Sequence, residues 1–219
     1  MIELERVSRV YVKNGERICA LREVSLTVAA GEYLSVIGPS GSGKTTLMNI
    51  LGCLDRPTSG TYRLLRRDMG RLRPQEAAAV RGRHIGFVFQ SFNLIPHMTA
   101  CENVELPLVL RGEAARSRRE RALAALERVG LAERSSHRPA ELSGGQQQRV
   151  AIARVLAADP ELILADEPTG NLDGVSVREI MEVLRELNRE GRTLVMITHD
   201  MELAKRADRT LRMANGEII

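Results

Sequence analysis

Residues 2–12 alternate apolar and polar side chains, and residues 20–29 do so again. A period of two is that of a half-buried strand. Asn14-Gly15 lies between the runs and is a strong hairpin signal, so they predict a strand pair. A third strand is predicted at Thr61-Tyr62-Arg63-Leu64-Leu65, after the turn signal Pro57-Thr58-Ser59-Gly60. These three predict a small, mostly antiparallel sheet. Elsewhere the apolar runs are nearly continuous. Tyr33-Leu34-Ser35-Val36-Ile37, Ile85-Gly86-Phe87-Val88-Phe89, Leu162-Ile163-Leu164-Ala165 and Thr193-Leu194-Val195-Met196-Ile197 each suit a buried strand of a parallel sheet.

Between these runs the period lengthens. Helices are predicted at 46–51, at 74–83 and across most of 90–157. Within the last stretch Ala122, Leu123, Leu126 and Val129 make an apolar stripe, and Gly130 is a plausible stop. Val177, Ile180, Met181, Leu184 and Leu187 form a second stripe, ended by Gly191. A helix from Met201 and a last strand near 210–213 follow. Strands alternating with helices predict an α/β fold wound around a parallel sheet.

Composition narrows the picture a little. At 219 residues the chain predicts one domain, or one core with a sizeable insertion. With 43% hydrophobic and 27% charged residues it can build a core. A formal net charge of +4 does not by itself point to nucleic acid, and with 3% aromatics base-stacking platforms are not expected. The arginines at 116, 118, 119 and 121 predict a solvated face. No apolar run approaches a membrane span and the start is no signal peptide, so a cytosolic chain is expected. Cys19, Cys53 and Cys101 fit neither a metal cluster nor a disulfide framework.

The chemistry gathers at strand ends. Gly38-Pro39-Ser40-Gly41-Ser42-Gly43-Lys44-Thr45 follows one predicted strand and opens a helix, the context a phosphate-binding loop requires. Its glycines let the backbone wrap a phosphate, and the helix end adds partial positive charge. Lys44 can reach the β- and γ-phosphates, and the Thr45 hydroxyl can ligate Mg²⁺. Asp166-Glu167 closes another strand. Asp166 there can hold Mg²⁺, and Glu167 can take a proton from an attacking water; an acidic helix cap is the plainer alternative. Gln90 and His199 close two more strands, and in an open α/β sheet ligands sit at such ends. Gln90 could orient water or touch Mg²⁺, and His199 could contact a γ-phosphate. Ser143-Gly144-Gly145-Gln146 opens a helix with a capping-box pattern, yet two successive glycines weaken a helix start. Something is therefore expected to approach that backbone closely. Tyr11 suits either strand packing or stacking on an adenine base.

With these motifs in order along nearly the whole chain, the sequence resembles the ATP-binding cassette (ABC) ATPases, the nucleotide-hydrolysing subunits of ABC transporters. The resemblance implies a P-loop NTPase fold, α/β, with a mostly parallel central sheet, an N-terminal antiparallel β subdomain and an inserted helical subdomain. It implies one domain, with about 1–89 and 158–219 as core and β subdomain and about 90–157 as the helical part. Lys44, Gln90, Glu167 and His199 would serve catalysis. Gly38, Pro39, Ser40, Gly41, Ser42, Gly43, Lys44, Thr45 and Thr46 would hold nucleotide, with Tyr11 on the adenine. Ser143, Gly144, Gly145 and Gln146 would be the signature and Asp173, in Gly170-Asn171-Leu172-Asp173, the D-loop. Thr45, Gln90 and Asp166 would hold Mg²⁺. Two copies would sandwich two ATP molecules, with Ser143 and Gly145 reaching the other subunit's nucleotide.

A finer likeness runs through Gln90-Ser91-Phe92-Asn93-Leu94, Glu102-Asn103-Val104-Glu105-Leu106-Pro107-Leu108 and Glu167-Pro168-Thr169. It is similar to the branch of macrolide-export, lipoprotein-release and cell-division ATPases. That implies an integral membrane permease partner, an ATP-dependent homodimer, no nucleic acid, and a place on the inner face of the cell membrane through the partner. A mechanical or signalling ATPase of cell-division type and an importer of small solutes stand as alternatives. The chain departs from the branch at Leu64-Leu65-Arg66-Arg67-Asp68, where relatives commonly carry a glycine turn.

Overall fold

The computed structural model describes residues 1–13 and 15–219. In chain order the strands are β1 (Ile2–Lys13), β2 (Glu16–Val28), β3 (Tyr33–Ile37), β4 (Ser59–Leu64), β5 (Arg67–Asp68), β6 (Ile85–Phe89), β7 (Leu162–Asp166), β8 (Thr193–Ile197), β9 (Arg209–Ala214) and β10 (Glu217–Ile218). The helices are α1 (Lys44–Leu51), α2 (Pro74–His84), α3 (Ala100–Leu110), α4 (Ala115–Arg128), α5 (Gly144–Ala158), α6 (Gly174–Arg189) and α7 (Met201–Ala204). They fall into two compact units, one of residues Met1–Arg81 with Gly191–Ile219, the other of Gly82–Glu190.

The first unit holds the antiparallel sheet β2-β1-β4-β5. Its register runs Ile2↔Val28 to Lys13↔Glu16 on one side of β1 and Ile2↔Leu64 to Ser8↔Ser59 on the other. One face buries Ile2, Leu4, Leu26, Val28, Tyr62 and Leu64, as the alternation predicts. The predicted Asn14-Gly15 turn involves Asn14, which lies outside the described residues; Gly15 is left-handed at φ 82°. The departure at 64–68 is a tight hairpin instead. Leu64 pairs with Arg67, and both turn residues, Leu65 (φ 51°) and Arg66 (φ 64°), take left-handed backbone without a glycine. The unit's second set of strands is parallel: β3 pairs with β8 through Tyr33↔Leu194 to Val36↔Ile197, and with β9 through Leu34↔Arg209 to Ile37↔Arg212. All five residues of β3 and of β8 are buried, which is why these runs lack alternation. The hairpin strand β10 adds antiparallel to β9, and its two residues carry no pattern readable from sequence.

In the second unit β6 and β7 pair in parallel, Ile85↔Leu162 to Phe89↔Asp166. Helices α3, α4 and α5 pack on one another, and α5 packs on β6. Val104 and Leu108, Ala122 and Leu126, and Val150 to Ala153 fill the space between them. The arginines of α4 are ion-paired: Arg118 and Arg119 with Glu105, Arg121 with Glu113, Arg116 with Glu120. Helix α6 shows the expected stripe, with Ile180, Met181, Leu184 and Leu187 buried. Among the described residues no helix is long and apolar enough to cross a membrane. Strands and helices alternate along the chain from β3 onward, as the α/β reading expects.

Candidate functional site

In the first unit the phosphate loop leaves β3 and enters α1. Its N-cap is Gly43, at φ 101°, a conformation that strains any residue with a Cβ. Space is short as well. A Cβ on Gly43 would lie 2.5 Å from the Ala20 carbonyl oxygen, and one on Gly38 would lie 2.2 Å from that of Met213. The loop is thus a cradle that bare backbone alone can line. No side chain caps α1 and no acidic residue stands in its first turn, so its amides keep their affinity for an outside anion. Lys44 arches over the loop, its Nζ donating to the Gly38 and Pro39 carbonyls at 2.7 Å each and to Ser42 Oγ at 3.4 Å. A phosphate would compete with these carbonyls for the ammonium protons. Ser42 is buried, while Thr45 is exposed and Thr46 half-buried.

His199 stands at the same carboxyl edge, because β8 lies beside β3 in register. Thr198, buried, donates its backbone N–H to Val36, and its hydroxyl accepts from the Asp200 N–H. Asp200 caps α7 through the Glu202 and Leu203 amides. His199 is therefore held between two anchored neighbours and exposed.

Tyr11 is half-buried near the end of β1. Its hydroxyl donates to Asp55 Oδ2 at 2.7 Å, and the Arg9 guanidinium lies 4.5 Å from its ring centroid. Arg9 also donates to Asp55 at 2.8 Å. Burial pushes the Asp55 carboxyl up, but the hydrogen bonds of Tyr11 and the Arg56 amide, with the Arg9 charge, outweigh it and hold it below the usual range. The cation on the ring was not legible in sequence.

In the second unit Gln90 and Asp166 are brought to one edge, since Phe89 pairs with Asp166. The exposed Gln90 donates its amide to Asn171 Oδ1 at 3.3 Å, and Asn171 Nδ2 returns a bond to the Gln90 carbonyl at 3.4 Å. Glu167 is half-buried in left-handed backbone, φ 46°, with its carbonyl accepting from the Gly170 N–H. Asp173 caps α6. Its Oδ1 accepts from the Val175 and Ser176 amides at 3.0 Å and its Oδ2 from the Ser176 hydroxyl at 2.9 Å. The Ser176 amide and hydroxyl bonds hold this carboxyl below its ordinary range.

The start of α5 is a complete capping box: Ser143 Oγ accepts from the Gln146 N–H, and Gln146 Oε1 accepts from the Ser143 N–H at 2.9 Å. The close approach expected at its glycines exists within the chain. A Cβ on Gly145 would lie 2.3 Å from Ser176 Oγ, whereas one on Gly144 would meet only ordinary contacts, the nearest at 3.7 Å. Two further residues of α5 escaped the sequence reading. Arg154 donates to the Asn93 and Phe92 carbonyls at 2.7 and 3.1 Å, just where both residues turn left-handed (φ 49° and 60°). Burial lowers its pKa. Gln148 is buried outright and donates to the carbonyls of Phe89 and Pro168. A polar side chain in the apolar stripe of α5 was the available signal.

Comparison with known proteins bears on the family and the fold. Residues 21–170 match the protein-family model described as ABC transporter. The chain is 52% identical, over its full length and 96% of the relative's, to the uncharacterized ABC transporter ATP-binding protein YvrO of Bacillus subtilis. It is 51% identical over its full length to the macrolide export ATP-binding/permease protein MacB of Burkholderia pseudomallei, of which it spans 34%. A solved dimeric ATP-binding cassette in a post-hydrolysis state, bound to ADP and Pi, superimposes with a TM-score of 0.93 at 45% identity, covering 100% of this chain and 96% of that one.

Proposed function

The chain belongs to the ABC transporter family as one of its ATP-hydrolysing cassettes, and on that premise we propose that it powers a membrane partner by dimerising around ATP. The work would be export, or extraction of a lipoprotein, lipid or peptide. The observation that carries this reading is the match of the whole chain to 34% of a protein named as both ATP-binding and permease. This chain would supply the ATP-binding share and an integral membrane permease the rest, which would hold the cassette at the inner face of the cell membrane.

The residues divide the chemistry as follows. Lys44 and the first-turn amides of α1 hold the β- and γ-phosphates, with Tyr11 on the adenine through the ring face opposite Arg9 or in its place. The cradle at Gly38 and Gly43, which a Cβ would fill, supports this. Thr45, Asp166 and Gln90 offer hard oxygen donors of the kind Mg²⁺ takes and would hold that ion, which neutralises phosphate charge when bound. Glu167 takes the proton of the attacking water and His199 donates to the γ-phosphate. Ser143 and Gly145 serve the nucleotide of a second copy, with Gln146 and Asp173 setting the two helix starts there. Phosphoryl transfer is mostly positioning and charge stabilisation, so completing the site from a second copy gates hydrolysis.

Glu167→Gln tests the reading, because its amide cannot take a proton. Turnover should fall about 10²–10⁴-fold while ATP binding persists. By size-exclusion chromatography with light scattering, this variant should be dimeric with Mg-ATP and monomeric without it, since ligand contacts supply part of the association. Adding Ser143→Arg should abolish the dimer and spare ATP binding by the monomer. Near-normal turnover, or a dimer indifferent to Ser143→Arg, would refute the corresponding role.

A further inference from the structure

The Gln148 side chain is fully buried on α5, and its amide nitrogen donates to two different segments, the end of β6 and the turn after β7. One bond reaches the Phe89 carbonyl at 3.3 Å, at the end of β6 and next to Gln90. The other reaches the carbonyl of Pro168 at 2.5 Å, next to Glu167. Both partners are acceptors, so the amide nitrogen must face them and the orientation is set. That choice leaves Oε1 buried without a hydrogen-bond partner among the described residues. A buried orphan acceptor costs stability, so an arrangement that keeps one calls for another reason.

Glu167 supplies that reason. Its left-handed backbone is unfavourable for a residue with a Cβ and persists only where neighbours hold it. On one side Asp166 is fixed by its pairing with Phe89. On the other Pro168 is fixed by Gln148. We propose that Gln148 is a positioning residue for hydrolysis: it ties the carbonyl after Glu167 to the carbonyl before Gln90 and so holds the Glu167 backbone in its left-handed turn. The inference rests on Glu167 being the general base.

The test uses the full chain with Mg-ATP. Gln148→Met keeps the volume and removes both donors. We expect kcat to fall about 10–100-fold, as misplacement of a base by a fraction of an ångström to an ångström does, with KM and nucleotide affinity within about two-fold of the parent. In a Glu167→Gln background, single-turnover hydrolysis of labelled ATP should change less than about two-fold on adding Gln148→Met, because no base remains to be positioned. A merely structural residue would slow both backgrounds by the same factor, and that result overturns the proposal. So does a normal kcat in Gln148→Met. Near-normal turnover in Glu167→Gln alone is a distinct result that removes the base and the positioning role together. Thermal melting accompanies each variant. If Gln148→Met does not fold, Gln148→Leu takes its place, and if neither folds Gln148 is a core residue only and the proposal falls.

Discussion

Two helix starts in this chain are built from similar letters and behave in opposite ways. Gly41-Ser42-Gly43-Lys44 opens α1 and Ser143-Gly144-Gly145-Gln146 opens α5. At α1 the cap is a glycine in left-handed backbone, and no side chain meets the first-turn amides. At α5 a serine caps and a glutamine returns the bond, so two of the orphan donors are answered internally. The first is poised to bind an anion by itself. The second has its own partners, and what it adds to an anion must come from the remaining amides and the helix dipole. Glycine at a helix start therefore has more than one meaning: Gly43 is required by φ and by backbone contact, Gly145 by one side chain, and Gly144 by neither.

Substituting the three glycines separates these meanings. Gly43→Ala should do the most harm. It forces a Cβ into left-handed backbone and 2.5 Å from a carbonyl that belongs to β2 and cannot rotate away. A loss of about 2 kcal/mol or more of stability is expected, with nucleotide affinity down at least about ten-fold. Denaturant unfolding and equilibrium nucleotide titration measure the two. An unchanged affinity would mean the cradle is not the phosphate site.

Gly145→Ala should cost less, about 1–2 kcal/mol, because the obstacle is a serine hydroxyl rather than backbone. Ser176→Ala removes that hydroxyl, so the double variant should recover about 1 kcal/mol relative to the sum of the singles. Gly144→Ala should stay within about 0.5 kcal/mol of the parent. If Gly145→Ala proves silent in the single chain yet blocks the ATP-dependent dimer, the contact with Ser176 is not what selects glycine there.

These contrasts also mark how far sequence alone could reach. The buried strands, the stripe of α6, the capping box at Ser143 and the phosphate loop were legible because each is a local pattern with one physical cause. The hairpin at Leu65-Arg66 was not, since left-handed turns are read from Gly and Asn and this one has neither. The Gly145–Ser176 approach joins residues 31 positions apart, and nothing in either segment announces it. Gln148 and Arg154 hide for a related reason. Each hydrogen-bonds backbone carbonyls of distant loops, and a carbonyl has no letter of its own in a sequence. The side chains proposed for catalysis are readable by type and spacing, while the carbonyls that Gln148 and Arg154 hold are not.

The smallest expected effect lies at a third helix start, that of α6, where a carboxylate does the capping. Asp173 accepts two amide bonds and a hydroxyl bond, and these hold its carboxyl below the ordinary aspartate range of about 3.9. A depressed carboxyl stabilises the fold while it is ionised. That contribution is full above the unfolded-state value and is lost as pH falls through the lower folded-state value. Asp173→Asn can still cap through its side-chain oxygen but has no charge to lose. The variant should therefore melt slightly below the parent at neutral pH, and the gap should close as pH drops through and below the range of about 4. Because the carboxyl is solvent-exposed, added salt should shrink the neutral-pH gap as well. Melting curves of the two proteins from pH 7 down to the acid limit of folding decide the matter. A gap that is constant with pH would show that the cap acts through its hydrogen bonds alone and that the charge on Asp173 contributes nothing to α6.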